Sequence, residues 1–393
     1  MKKLILLLVF FAQVSFAQVS FAQTVSNPAN QALDPSFAVK SNGDIVLSWV
    51  EKSANGVLFF RKVNQGPAEQ VPIDKKASTH AEGMPKLAYK ADGTCILLYE
   101  MNRPTSASRF NGDLLYAMEV NGVWQKPQYI HKDTAAGLSH SFGKIISLPN
   151  GEVRAYWLDV KAGPKGRTLV TADTSPGNGF GVMKTIDQQT CECCRIDALA
   201  DLKGNVDVIY RDLNDQGERD MGYLHSSDFG KTYSEPVSLY EDHWLVNACP
   251  HAGPSLARGA KGLEATWYTG AEGSSGVKWA YQSSKKMILH LKGDKVRMPQ
   301  LASNSKGETA LVFAEIKQMG DRYFKQIGLI KKDVRGRLTK TYISDVNFDC
   351  SYPAIKWGGK SWLIAFEGLK NKINPAESVS NDSSNPVIFL LNR

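Results

Sequence analysis

One phrase returns seven times along the 393 residues: an apolar pair, a glycine, an alternating apolar run, then an aromatic residue. The glycines are Gly43, Gly93, Gly151, Gly204, Gly262, Gly307 and Gly359. Six residues beyond the first six stand Trp49, Tyr99, Trp157, Tyr210, Tyr268 and Phe313, and Phe366 follows the seventh one place out of step. Eight residues before four of the glycines stand Pro35, Pro85, Pro254 and Pro299. A unit of short strands recurring every 45–58 residues cannot bury its apolar faces alone. Stacked radially against copies of itself, it gives a β-propeller. The fold class is therefore all-β, a propeller of seven blades with four antiparallel strands each. Six blades plus an appendage is the alternative.

The first 22 residues stand apart. Lys2 and Lys3 precede an apolar run from Leu4 to Phe11, and Ser20-Phe21-Ala22 offers small residues for cleavage. This has the form of a signal peptide. The pentad Phe-Ala-Gln-Val-Ser occurs at 11–15 and again at 16–20, so Ala12 and Ala17 are alternative cleavage points. No cysteine adjoins these sites, which argues against a lipid anchor. The mature chain, residues 23–393, is expected to be a single exported domain, periplasmic or secreted, and monomeric. Blades are expected to start near 35, 85, 142, 195, 252, 297 and 351. Net charge is +8, dispersed and without a basic run carrying interleaved aromatics, so nucleic-acid binding has no support. No later stretch reads as a membrane span.

In blade 2 the alternation predicts strands over 86–90, 94–101, 113–119 and 128–131. Blade 7 shows only three strands. The N-terminal segment around 24–32 is expected to supply the fourth and close the ring, removing an open edge. The polar segment 371–385 reads as a loop within that blade.

Blade 4 carries Ser226-Ser227-Asp228-Phe229-Gly230-Lys231-Thr232-Tyr233, which fits Ser-x-Asp-x-Gly-x-Thr-(Trp/Tyr). The hydroxyls and carboxylate can bond their own backbone, and the glycine supplies a positive φ. In this octet the chain resembles the Asp-box, or BNR-repeat, propellers of the sialidase superfamily. The resemblance implies that Asp228 is a turn residue on the face away from the ligand site.

A propeller gathers its functional groups at one end of the central channel, where residues just before the inner strands and just after the second strands converge. Eleven residues before their glycines stand Glu82, His140, Cys193 and His251. The second-strand ends carry Glu51, Glu100, Asp159, Asp212, Glu315 and Glu367, with Arg103, Arg211 and Arg219 in adjoining loops.

Cys191-Glu192-Cys193-Cys194-Arg195 and Cys249-Pro250-His251 place four thiols and an imidazole on adjacent blades. Three readings stand open. Exported proteins oxidise paired cysteines, so Cys191 or Cys193 with Cys249 is a candidate disulfide. Thiolate and imidazole donors select copper or zinc, with Cys191, Cys193, Cys194, Cys249, His251 and His140 as metal ligands. The Cys191–Cys194 spacing also permits a redox dithiol. Cys95 reads as a buried thiol, and His80, His131, His225, His243 and His290 as ordinary surface or core residues.

The sialidase resemblance implies a different use of the same face. Arg195, Arg211, Arg219 and Arg297 would clamp an acidic sugar, with Asp159 or Asp212 as acid, Glu315 or Glu192 as base, and Tyr210 or Tyr268 as nucleophile. The Arg-Ile-Pro motif of that superfamily's first blade is absent; Asp34-Pro35-Ser36 stands there. The expectation is thus a ligand- or metal-binding propeller. A sialidase-like glycoside hydrolase and a disulfide-bonded, partner-binding scaffold are the alternatives. The first partner class is a metal, a small molecule or a glycan.

Overall fold

The computed structural model describes residues 22–106, 111–135, 137–160, 165–371 and 385–393. The leader expected over 1–22, apart from Ala22, and most of the loop expected over 371–385 lie outside the described residues. Every described element is a strand, turn or bend, and no helix is long and apolar enough to cross a membrane.

Seven antiparallel sheets follow one another around a ring, each meandering from an inner to an outer strand. The inner strands are Gln31–Val39, Lys86–Tyr89, Ser141–Ser147, Asp197–Ala200, Ser255–Gly259, Val296–Ser303 and Phe348–Trp357. In blade 2 the observed strands are Lys86–Tyr89, Cys95–Asn102, Gly112–Val120 and Gln128–Tyr129. Blades 2 and 3 each add one further short strand.

The ring closes through blade 7. Gln23–Thr24 pairs with Val387–Asn392 as the outermost strand of the sheet that Phe348–Trp357 begins. Val25 N extends the ladder by donating to Ile388 O at 2.9 Å. Only the start of the expected 24–32 segment does this. From Gln31 the chain has already turned inward as the first strand of blade 1.

The core explains why the repeat takes this form. Seven apolar clusters form, each joining neighbouring blades, including one that joins blade 7 to blade 1 through Ile388, Ala365, Trp49, Leu47 and Ala32. The repeated aromatics lie inside these seams; Trp49, Tyr99, Trp157, Tyr210, Phe313 and Phe366 are 0–2% exposed and Tyr268 is 7% exposed. Each contributes about 1.5–3 kcal/mol by leaving water. All seven repeat glycines adopt φ between +80° and +112°. They end the tight turn between inner and second strands, where a side chain would strain the backbone. A seventh blade is thus required by the core itself.

The octet in blade 4 forms the expected self-bonded turn. Asp228 accepts from Thr232 N at 3.0 Å and Thr232 Oγ1 at 2.7 Å, and Gly230 N donates to Ser226 Oγ at 2.7 Å. Phe229 N donates to Gly204 O at 2.9 Å. The turn therefore abuts the glycine-turn end of the blade, opposite the end where the inner strands begin.

Candidate functional site

Six of the seven inner strands carry a kink, within their first half or just before them. Asp34, Glu82, Phe142, His251, Met298 and Tyr352 adopt left-handed φ between +44° and +68°. Such angles are uncommon for non-glycine residues and persist only where surroundings enforce them. In blades 1, 3, 6 and 7 the strand register shifts here, at Asp34-Pro35, Phe142-Gly143, Met298-Pro299 and Tyr352-Pro353. These bulges make the rim of the channel. A residue that bends the chain inward is followed by one that cannot, or need not, donate to the ladder.

The second-strand carboxylates serve this rim. Glu100 of blade 2 accepts from Phe142 N of blade 3 at 2.6 Å, and Glu367 of blade 7 accepts from Asp34 N of blade 1 at 2.7 Å. They latch one blade to the kink of the next. Burial pushes Glu100 up to about 7 and Glu367 up to about 8. Glu51 accepts from Asn27 N, Asn30 Nδ2 and Trp49 Nε1.

Glu82 spans the mouth. Its Oε1 takes Arg195 Nη1 at 2.6 Å and Gly253 N at 3.2 Å, and its Oε2 takes Arg195 N at 3.1 Å. Arg195 Nη2 continues to Pro299 O at 3.0 Å. One ion pair so links blades 2, 4, 5 and 6. The adjoining channel encloses a cavity of about 470 Å³, whose lining includes Asp34, Glu82, Lys86, Lys144, Arg195 and Lys356.

Beside this bridge lies the thiol cluster. In a propeller, the chain leaving one blade's outer strand must cross the rim to reach the next inner strand. The crossing from Lys184–Thr190 to Asp197–Ala200 carries Cys191, Cys193 and Cys194. The crossing from Val237–Tyr240 to Ser255–Gly259 carries Cys249 and His251. The sulfurs of Cys191, Cys193 and Cys194 lie within 4.8 Å of one another, and so do Cys193 Sγ, Cys249 Sγ and a ring nitrogen of His251. Cys193 belongs to both triads. The first is buried, with its cysteines 1%, 4% and 2% exposed; Cys249 is open to solvent. All six cysteines are free thiols.

Electrostatics favours a thiolate here. The Cys193 and Cys194 thiols hydrogen-bond to Cys191 and Arg219 stands beside it, so its pKa falls well below the ordinary thiol value despite burial. Arg219 Nη1 is 3.0 Å from Cys191 Sγ. Cys193 is correspondingly held in the thiol form by Cys191 and Cys194. Cys95 and Cys350, buried within the strands Cys95–Asn102 and Phe348–Trp357, are pushed up to about 12 by desolvation.

The remaining candidates are distributed as follows. His140 is buried apart from the triads. It stacks on His131 at 3.5 Å, and its Nδ1 lies 3.0 Å from Asp159 Oδ1. Asp159 also accepts from Trp157 Nε1 and Val160 N. Asp212, pushed up to about 7 by burial, lines a separate cleft with Asn214, Glu218, Asp220 and His243. Glu315 lies among Lys317, Lys340 and Tyr342 of blade 6. Of the four candidate arginines only Arg195 lines the channel cavity. Arg211 is 2% exposed, gives hydrogen bonds to Arg219 O, Ala252 O and Tyr268 O, and stacks on Trp244 at 4.7 Å. Arg297 stacks on Tyr268 at 3.7 Å. Tyr210 is buried and donates to Asp187. Glu218, Asp220 and His243 also approach one another, but Asp220 is occupied by the backbone N–H groups of Asp242, His243 and Trp244.

Two neighbours escaped the sequence. His80 packs 4.9 Å from the His251 ring, yet it stands out of phase with the repeat position that marks the rim. Arg167, on the third strand of blade 3, is a buried guanidinium within electrostatic reach of Cys193; nothing in strand alternation signals that.

No protein-family model and no curated protein matches the chain. Among solved structures, a polysaccharide lyase of family PL25, an ulvan lyase bound to -[GlcA(1-4)Rha3S]-, superposes with a TM-score of 0.60 at 10% identity, over 94% of this chain and 96% of that one. A protein of unknown function from Dyadobacter fermentans gives 0.49 at 12% identity over 95% and 99% of the two chains. Trypanosoma rangeli sialidase gives 0.45 at 12% identity, over 92% of this chain and 55% of that one. At 10% identity the likeness to the lyase concerns the propeller fold alone.

Proposed function

We propose that the protein is an exported propeller that captures a thiophilic metal ion, copper or zinc, at its channel mouth. The observation that carries this is the approach of Cys193, Cys249 and His251 to within 4.8 Å of one another, donor atom to donor atom. Two separate crossings supply them, so the ring scaffold, rather than local sequence, brings them together. Two thiolates and an imidazole are soft and borderline donors, suited to copper or zinc and poorly suited to magnesium or calcium. The open edge at Cys249 gives an ion a way in. Arg219, beside Cys191 in the adjoining triad, adds positive charge that favours deprotonated sulfur in the nest.

Competition titration of the reduced protein with chromogenic copper(I) and zinc chelators tests this. The expected result is tight binding of one of the two metals, weakened at least about tenfold in Cys249→Ala and in His251→Ala, a loss of about 1.4 kcal/mol. Equal affinity in wild type and both variants would remove the site.

A second reading concerns the channel cavity. Its volume of about 470 Å³ and its lysines and arginine suit part of an acidic glycan, and the ulvan lyase that shares the fold was solved with a uronate-containing saccharide. Incubation with acidic polysaccharides and sialosides, followed by analysis of the released sugars, tests it. Release that persists in the Cys249→Ala variant would assign the activity to the channel rather than to the thiols.

A further inference from the structure

We propose that the thiol nest is a dinuclear copper(I) site in which Cys193 Sγ bridges an inner ion held by Cys191 and Cys194 to an outer ion held by Cys249 and His251. This rests on the metal-binding reading above and extends it from one ion to two, and from two metals to one.

Three observations carry it. The first is the sharing of Cys193 by both triads, since a thiolate sulfur has lone pairs enough to bond two soft ions. The second is coordination number. Each triad offers three donors, and the cysteines of the inner one are at most 4% exposed, which shields that triad from bulk water. Zinc in structural sites takes four ligands. Copper(I) is satisfied with three soft ones.

The third observation is charge. One guanidinium group touches the nest and two more stand within electrostatic reach of it. Arg219 Nη1 is 3.0 Å from Cys191 Sγ, and its nearest carboxylate, Glu192, is 3.8 Å away. Arg211, within electrostatic reach of Cys194, donates only to backbone carbonyls. Arg167, within reach of Cys193, donates to Ser141 Oγ and to the carbonyls of Ser139, Leu158 and Asp159. Among the described residues neither Arg167 nor Arg211 hydrogen-bonds a carboxylate. Buried cations without a counter-ion are costly, and natural interiors pair them. Arg211, whose buried Nε has no partner, is the group such a counter-charge would serve; Arg167 already lies in the field of Glu100, Asp159 and Glu192. Four thiolates holding two copper(I) ions carry a net charge of −2, which Arg219 and Arg211 are placed to offset. The binding step is balanced without redox chemistry: each thiol that ligates gives its proton to solvent, and copper enters already as copper(I).

The test is native mass spectrometry of the reduced mature chain titrated with copper(I) under a competing chelator, with X-ray absorption on the loaded protein. Two copper ions per chain and a copper–copper scattering path are expected. Cys249→Ser, on the exposed side, should halve the copper content and abolish that path without changing the melting temperature. Cys191→Ser should likewise retain one ion, and Cys193→Ser should retain neither at the same chelator strength. One ion in the wild type, or two ions with no copper–copper path, would overturn the bridge while leaving metal binding intact. No copper at all would overturn both.

Discussion

Removing Glu82 should loosen the whole channel mouth. Its carboxylate is 4% exposed and its partner Arg195 17% exposed. Glu82→Ala strips Arg195 of its only carboxylate among the described contacts and also leaves the Gly253 N–H without its acceptor. Breaking a buried ion pair from one side costs about 3–5 kcal/mol. With an unfolding entropy of about 2.1 cal/mol/K per residue over roughly 370 residues, one degree corresponds to about 0.8 kcal/mol. The expected drop in melting temperature is therefore about 4–6 °C. Thermal unfolding followed by circular dichroism measures it. Glu82→Gln, which keeps an acceptor, should lose less. The double variant Glu82→Ala/Arg195→Ala should lose less than the sum of the single changes, because the orphaned cation is then gone. A Glu82→Ala protein melting within about 1 °C of wild type would refute the bridge as the tie between blades 2, 4, 5 and 6.

Other outcomes follow from the same contacts. Arg211→Ala should lower stability by at least about 3 kcal/mol, since it orphans three buried carbonyls; an unchanged melting temperature would contradict its role as the pin of the blade 4–5 seam. Glu367 is raised to about 8 by burial, above its unfolded value, so its contribution is full below about pH 4.5 and is lost as pH rises through the folded value. Wild type should thus lose stability between pH 5 and pH 9 relative to Glu367→Gln, as pH-dependent melting would report, and parallel curves would contradict it. Gly230→Ala would place a Cβ 1.2 Å from Arg154 Nη1 at φ +72°. It should destabilise the protein by about 1–3 kcal/mol with unchanged metal content, whereas a loss of metal would deny that this end of blade 4 is separate from the site.

The fold was legible because each repeat states the same physical need. Gly43 and its six counterparts mark a turn that demands positive φ, and Trp49 and its counterparts mark a seam that must be dry. Closure by residues near Thr24 was legible from a missing strand. The rim was legible in part: counting back from the glycines brought Glu82, Cys193 and His251 into one register, and they meet at the mouth. The same count included His140, which the structure turns toward Asp159 and His131 instead. Repeat position fixes where a backbone lies; it does not fix which neighbour a side chain prefers. The carboxylates at the second-strand ends looked like ligands for a substrate. Glu100 and Glu367 hold the backbone of the adjoining blade, a role that exists only once the kinks are formed. The four arginines likewise could not be sorted by spacing. Arg211 stacks beneath Trp244 and binds carbonyls, whereas Arg195 faces the cavity. That division depends on which long side chain the packing lets reach the channel.

The most direct test of the central claim is the metal content of mature protein purified from an exported compartment without chelators. Copper or zinc at one or more ions per chain, lost on replacing Cys193, is the predicted result. Metal-free protein with Cys193 and Cys249 joined in a disulfide would contradict it.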